Sequence, residues 1–163
     1  MTRIMLHACC APCALEPLDA LAANADVTVC YANPNIHPVE EYERRLAVLR
    51  GYLTASMADL IELPYEPETW AEATAGLAPP ERCRACYRLR IGLVAAEAAR
   101  LGYDAVATTL SVSPYQDQRA IAEEGELACS RAGVRFMAVD FRDRYAEATR
   151  RSRELGMYRQ NYC

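Results

Sequence analysis

Five short apolar runs, each parted from the next by a stretch of helical period, limit this 163-residue chain to very few architectures. The runs cover residues 3–8, 26–32, 59–63, 103–108 and 134–139, each with the length and apolar character of a buried strand. Helical patterns fill 14–23, 39–53, 82–101 and 115–132, with a shorter one at 68–75 and a last one at 145–155. In the second of these, Tyr42, Leu46 and Leu49 recur at helical spacing. Leu101-Gly102, Ala132-Gly133 and Gly156 supply stop signals. Strands alternating with helices predict a parallel sheet covered on both faces. The expectation is one doubly wound α/β domain over residues 1–163, with about five mostly parallel strands. The sharpest break, Ala78-Pro79-Pro80, reads as a loop ahead of a helix.

Composition excludes several classes. With 52% hydrophobic and 25% charged residues the chain is not disordered. No run approaches the ~18 apolar residues of a membrane span. The start, Met1 to His7, is too short and too weakly apolar for a signal peptide, which predicts a cytoplasmic protein. The net charge of −4 gives no global basic field for nucleic acid. All 18 basic residues are Arg, which suits bidentate phosphate contact and follows equally from a GC-rich coding sequence.

Eight cysteines in a reducing compartment point to metal or redox chemistry rather than stapling. They are clumped: Cys9, Cys10 and Cys13 follow the first strand, and Cys83 and Cys86 open the long helix. In open α/β sheets ligands sit beyond the carboxyl ends of the strands, so both groups belong to one rim. Four thiolates from two segments meet the needs of a [4Fe–4S] cluster or a four-cysteine zinc site. A metal-free dithiol at Cys83-Arg-Ala-Cys86 is the remaining reading. Cys13, one helical turn beyond Cys9-Cys10, is a further metal ligand, an acid or nucleophile, or a packed core thiol. Cys30 and Cys129 read as core, and Cys163 as either inert or redox-active.

Other segments fall on the same rim. His37, in the Asn33–Pro38 loop, is a proton donor, a metal ligand or a cap for the next helix. His7 reads as a buried, satisfied imidazole. Ser113 and Pro114 form an ordinary helix start whose amides could also cradle a phosphate, though capping alone does not account for the four hydroxyls from Thr108 to Ser113. Arg151, Arg153 and Arg159 with Tyr158 and Tyr162 combine phosphate contact with base stacking, or form a solvated tail. Arg44, Arg45, Arg88 and Arg90 extend that surface or face solvent. No P-loop, GxGxxG or Ser-Gly-Gly loop follows the first strand, which argues against a nucleotide-hydrolysing enzyme.

Together the stretches His7–Cys13, Tyr31–Pro38, Glu81–Arg90, Thr108–Tyr115, Asp140–Arg142 and Ser152–Cys163 resemble the cobalamin-independent epoxyqueuosine reductases, the QueH family. The resemblance implies a Rossmann-like fold and reduction of epoxyqueuosine to queuosine at the wobble position of tRNA with a GUN anticodon. It implies a [4Fe–4S] cluster on Cys9, Cys10, Cys83 and Cys86, an adjacent mononuclear iron with Cys13 as one ligand, and a ferredoxin-like external donor. Cys13 or His37 would serve as the acid. In the family pattern a further cysteine follows Cys163 and pairs with it in a redox-active disulfide; here Cys163 is the last residue. The competing classes are a non-catalytic RNA-binding module built on a four-cysteine zinc site and a cluster-dependent tRNA-thiolating enzyme. The latter is disfavoured by the missing ATP-activating loop.

Overall fold

The computed structural model describes residues 1–163. Its elements are β1 (Arg3–His7), α1 (Ala11–Ala22), β2 (Asp26–Tyr31), α2 (Val39–Ser56), β3 (Asp59–Glu62), α3 (Pro67–Thr74), α4 (Glu81–Arg100), β4 (Ala105–Thr108), α5 (Gln118–Ala132), β5 (Arg135–Phe136) and α6 (Tyr145–Glu154). A 3-10 turn, Thr109–Val112, follows β4. The sheet order is β3-β2-β1-β4-β5 and all four pairings are parallel. This is the doubly wound α/β architecture that the alternation predicts. No helix is long and apolar enough to cross a membrane.

Side chains alternate along each strand, so the sheet has two buried faces. Ile4, Leu6, Val29 and Tyr31 pack with α1 and α2 residues such as Leu18, Leu46 and Leu49. Met5, Cys30 and Val106 pack with Ile91, Val94 and Ala98 of α4 and Ile121 and Cys129 of α5. Cys30 and Cys129 are both fully buried in that second core, as expected of packing thiols.

The crossover matters most for the site. The chain builds outward from β1 through β2 to β3, then returns through α4 to place β4 on the other side of β1. The carboxyl ends of β1 and β4 therefore flank the switch point where such folds bind ligands.

Two expectations need correction. The strand expected over 134–139 pairs with β4 only at Ala105↔Arg135 and Val106↔Phe136. The helix expected from Tyr115 starts at Gln118, because Asp117 rather than Ser113 accepts from the Ala120 N–H as its cap, at 3.0 Å. Ser113 instead accepts from the Tyr115 N–H in a separate turn.

Gly125 of α5 lies against the buried Phe136 ring, and a Cβ there would stand 2.5 Å from its Cζ. Gly125→Ala should therefore lower stability by about 1–3 kcal/mol despite alanine's better helix propensity. Urea unfolding measures this, and Phe136→Leu in the same chain should recover part of the loss.

Candidate metal centre

After β1 the chain cannot start a helix at once: Cys10 is extended (φ −169°, ψ 168°) and caps α1 with its backbone alone. This geometry turns Cys9 and Cys10 inward while Cys13 follows in the first turn. The Sγ atoms of Cys9, Cys10 and Cys13 all lie within 4.8 Å of one another. Those of Cys9 and Cys10 are 3.8 Å apart, close to the ~3.8 Å edge that tetrahedral metal–sulfur bonds of ~2.3 Å require. The three-thiol group on its own suits one thiophilic ion.

Electrostatics separate the three. Bonds from the Cys10 and Cys13 thiols, together with the Arg90 charge and the Thr109 hydroxyl, hold the Cys9 thiol well below its ordinary range, against the opposing effect of burial. Cys10, despite its bond with Cys13, is pushed up to about 12 by its bond with Cys9 and by burial. Cys13 is pushed well up by its bonds with Cys10 and Cys9 and by burial. Cys9 is thus the most acidic of the three thiols. Thr109 supports Cys9 twice, its Oγ1 accepting from the Cys9 N–H at 3.1 Å and lying 3.3 Å from Sγ. The hydroxyl density after β4 is explained by this support and by local turn bonds.

Cys83 and Cys86 lie half-buried in the first two turns of α4, outside the three-thiol group. Cys9 and Cys83 pack against the same core. The link between the two segments is a buried polar chain. Arg90 Nη1 donates to Cys86 Sγ at 3.9 Å, while its Nε and Nη2 donate to Asn33 Oδ1 at 3.2 and 2.8 Å. Asn33 Nδ2 in turn donates to the carbonyl of Ala8, at 2.8 Å. His7 completes the chain with its Nε2–H donating to Asn33 Oδ1 at 3.0 Å and its Nδ1 accepting from the Thr108 hydroxyl at 2.9 Å.

Burial and the Arg90 charge lower the His7 pKa from 6.5 to about 4. Between these values the unfolded chain binds a proton that the folded chain refuses. The stability is therefore complete above pH 6.5 and is lost as pH falls toward 4, by about 1.4 kcal/mol per unit. His7→Gln, which retains an N–H donor, should flatten this slope in urea unfolding measured across that window.

The thiols open into a cavity of about 360 Å³ whose wall includes Cys9, Cys10, Cys13, Arg90, Tyr115 and Tyr145. Residues 159–163 fold back to close another side of it. Arg45, buried beside Glu41, holds this strap by donating to the main-chain oxygens of Tyr162 and Cys163 at 3.1 and 3.4 Å. Tyr162 donates to the His37 carbonyl at 2.9 Å. Gln116 donates to Cys163 Sγ at 3.2 Å and accepts from the Tyr87 hydroxyl at 2.5 Å, which ties Cys163 to the start of α4.

Several expected surfaces are internal. Arg45 and Arg90 are buried rather than solvated. Tyr158 lies under Arg44 and Tyr162 under Arg45, and Arg151 is paired with Glu16 and Asp19. Arg88 is paired with Glu124. His37 is exposed, its ring packs on Trp70 at 5.4 Å between centroids, and it lines no part of the cavity. Its side chain does not cap α2. The aromatic pair that does stand at the cavity is Tyr115, 84% exposed, set edge-on to Tyr145.

The molecule is a doubly wound α/β domain with a thiol-lined cavity at its switch point, and three of those thiols are close enough together to hold one metal ion. Comparison with known proteins narrows the class. The pattern of the family described as "Epoxyqueuosine reductase QueH" matches residues 4–163. Proteins of that name from Dehalococcoides mccartyi and Streptococcus pyogenes are 35% and 33% identical, over 99% and 98% of this chain and 89% and 68% of their own. The chain belongs to the epoxyqueuosine reductase QueH family and is an oxidoreductase. A structure described as a "predicted subunit of tRNA methyltransferase" from Methanocaldococcus jannaschii shares the fold, with a TM-score of 0.60 at 10% identity, over 94% of this chain and 76% of that one.

Proposed function

We propose that this chain reduces epoxyqueuosine to queuosine at the wobble position of tRNA with a GUN anticodon. The observation that carries the reading is the thiol group at the β1–β4 switch point, opening into a cavity, in a member of this family. The reaction takes up two electrons and two protons, breaks both C–O bonds of the epoxide, forms the cyclopentene double bond and releases water.

Cys9, Cys10, Cys83 and Cys86 would hold a [4Fe–4S] cluster, and Cys13 would contribute to an adjacent iron. The donor chemistry supports this reading: all are unpaired thiols, drawn from two segments that the Cys86–Arg90–Asn33–Ala8 chain links. When bound, this centre supplies single electrons from an external ferredoxin-like donor and a Lewis acid for the epoxide oxygen.

The protein's own groups do the rest. A base inside a helical stack cannot reach a recessed thiol cluster, so the modified nucleotide must be extruded. Tyr115 and Tyr145 offer the extruded base an aromatic wall, and Arg159, which also lines the cavity, faces the nucleic acid as a cation. Cys13 stands in the cavity wall and would hold the adjacent iron as a thiolate, so it is not also the acid. His37, packed on Trp70 outside the wall, is not in reach of that role. The strap at 159–163 covers the centre and limits water.

The direct test is an anaerobic assay with epoxyqueuosine-containing tRNA, a chemical reductant and mass analysis of the released nucleosides. Conversion to queuosine is the expected result. Intact epoxide with a fully iron-loaded protein and a competent reductant would exclude the activity.

A further inference from the structure

The chain has two arginines with buried side chains, and they differ in their partners. Arg45 is paired with Glu41 at 2.9 Å. Arg90, only 3% exposed, forms no ion pair with any carboxylate; its guanidinium meets the neutral Asn33 amide and the sulfur of Cys86. A guanidinium does not lose its proton in proteins, and a buried one without a counter-charge is strongly destabilising. His7, hydrogen-bonded to the same Asn33 oxygen, supplies no compensation, since an imidazole never carries negative charge there. The negative charge that Arg90 requires is available from one source in its surroundings, the thiolates. Its position in the cavity wall beside Cys9, Cys10 and Cys13, and its contact with Cys86, put it between the two cysteine groups.

We propose that Arg90 is a positioning residue that acts as the fixed counter-charge of the metal centre and raises its reduction potential. This rests on the reading that Cys9, Cys10, Cys83 and Cys86 hold an iron–sulfur cluster. A thiolate-ligated cluster carries net negative charge, which grows by one when it accepts an electron from the external donor; no bond is made or broken. A buried cation at this distance favours the reduced form over the oxidised one, because net charge and hydrogen bonds to sulfur set such potentials. The Asn33 fork aims the guanidinium at the sulfurs and prevents it from turning to water, as a solvent-exposed arginine would.

The experiment is a potentiometric titration of the anaerobically prepared holoenzyme, followed by electron paramagnetic resonance, with iron content measured alongside. Arg90→Gln should retain the fold and shift the midpoint negative, so that the reduced-to-oxidised ratio at a fixed potential falls roughly tenfold, or ~59 mV for one electron. Arg90→Lys, which keeps the charge but not the fork, should recover most of the shift. Iron kept by the Lys variant and lost by the Gln variant would also support a role for charge. An iron-loaded Arg90→Gln with the native midpoint overturns the proposal. So do equal shifts in the Lys and Gln variants, or iron lost from both, which would make Arg90 a structural tie. If the Gln variant does not fold, Arg90→Met replaces it, and a chain that folds with neither also overturns the proposal. An unaltered chain that binds no iron–sulfur centre refutes the proposed function itself, together with this inference.

Discussion

Cys83→Ala should remove the iron–sulfur centre and reduce turnover to background while leaving the fold standing. Cys83 is half-buried at the edge of the α4–α5 core, so losing its sulfur should cost about 1 kcal/mol or less of stability. Its loss leaves the cluster one thiolate short; Cys163 is the one cavity thiol without a ligand role, and a chain that also carries Cys163→Ala removes it as a substitute. The comparison that gives the prediction force is Cys129→Ala. That thiol is fully buried away from the cavity, and its loss should lower stability without changing iron content or turnover. Iron and acid-labile sulfide analysis, thermal melts and the nucleoside assay together read out both variants. A Cys83→Ala protein with full iron and full activity would remove α4 from the site.

Cys13→Ala should behave differently from either. Its Sγ lies within 4.8 Å of those of Cys9 and Cys10, where it would hold the adjacent iron as a thiolate. Removing it should leave the cluster iron in place, yet lower turnover by about 10²-fold or more, because the Lewis acid for the epoxide oxygen is lost with it. The adjacent iron should be lost in the same variant, so a metal count falling by one atom would accompany the activity loss. Unchanged turnover would make Cys13 a packing residue of α1.

Much of this molecule is legible in its sequence. The strand and helix alternation prescribes the doubly wound sheet, and the clumping of Cys9, Cys10 and Cys13 directly after the first apolar run places the thiols at its ligand-binding rim. Edges are less legible. Ser113 and Asp117 are equally good helix caps, and only the turn through Thr109–Val112 decides between them. β5 pairs with β4 at only two positions, a fact of tertiary pairing that the apolar run 134–139 does not encode. The two buried arginines are the more instructive omission. Arg45 falls three residues after Tyr42 and four before Leu49, and Arg90 three after Tyr87 and four before Val94, all of them buried. Each therefore sits on the apolar stripe of its helix, and that position is the signal of a buried charge with a partner to satisfy. Nothing periodic marks 159–163, so the strap over the cavity emerges only from long-range contacts such as Arg45 to Tyr162.

The account turns on whether the cysteines after β1 and those opening α4 share one inorganic centre. Iron and acid-labile sulfide counted per chain after strictly anaerobic purification, with Mössbauer spectra of iron-57-enriched protein, measure this directly. Four sulfides with ~4–5 irons per chain, in the spectral pattern of a cubane with an added site, is the predicted result. A colourless protein with one tightly bound zinc and no sulfide would contradict it.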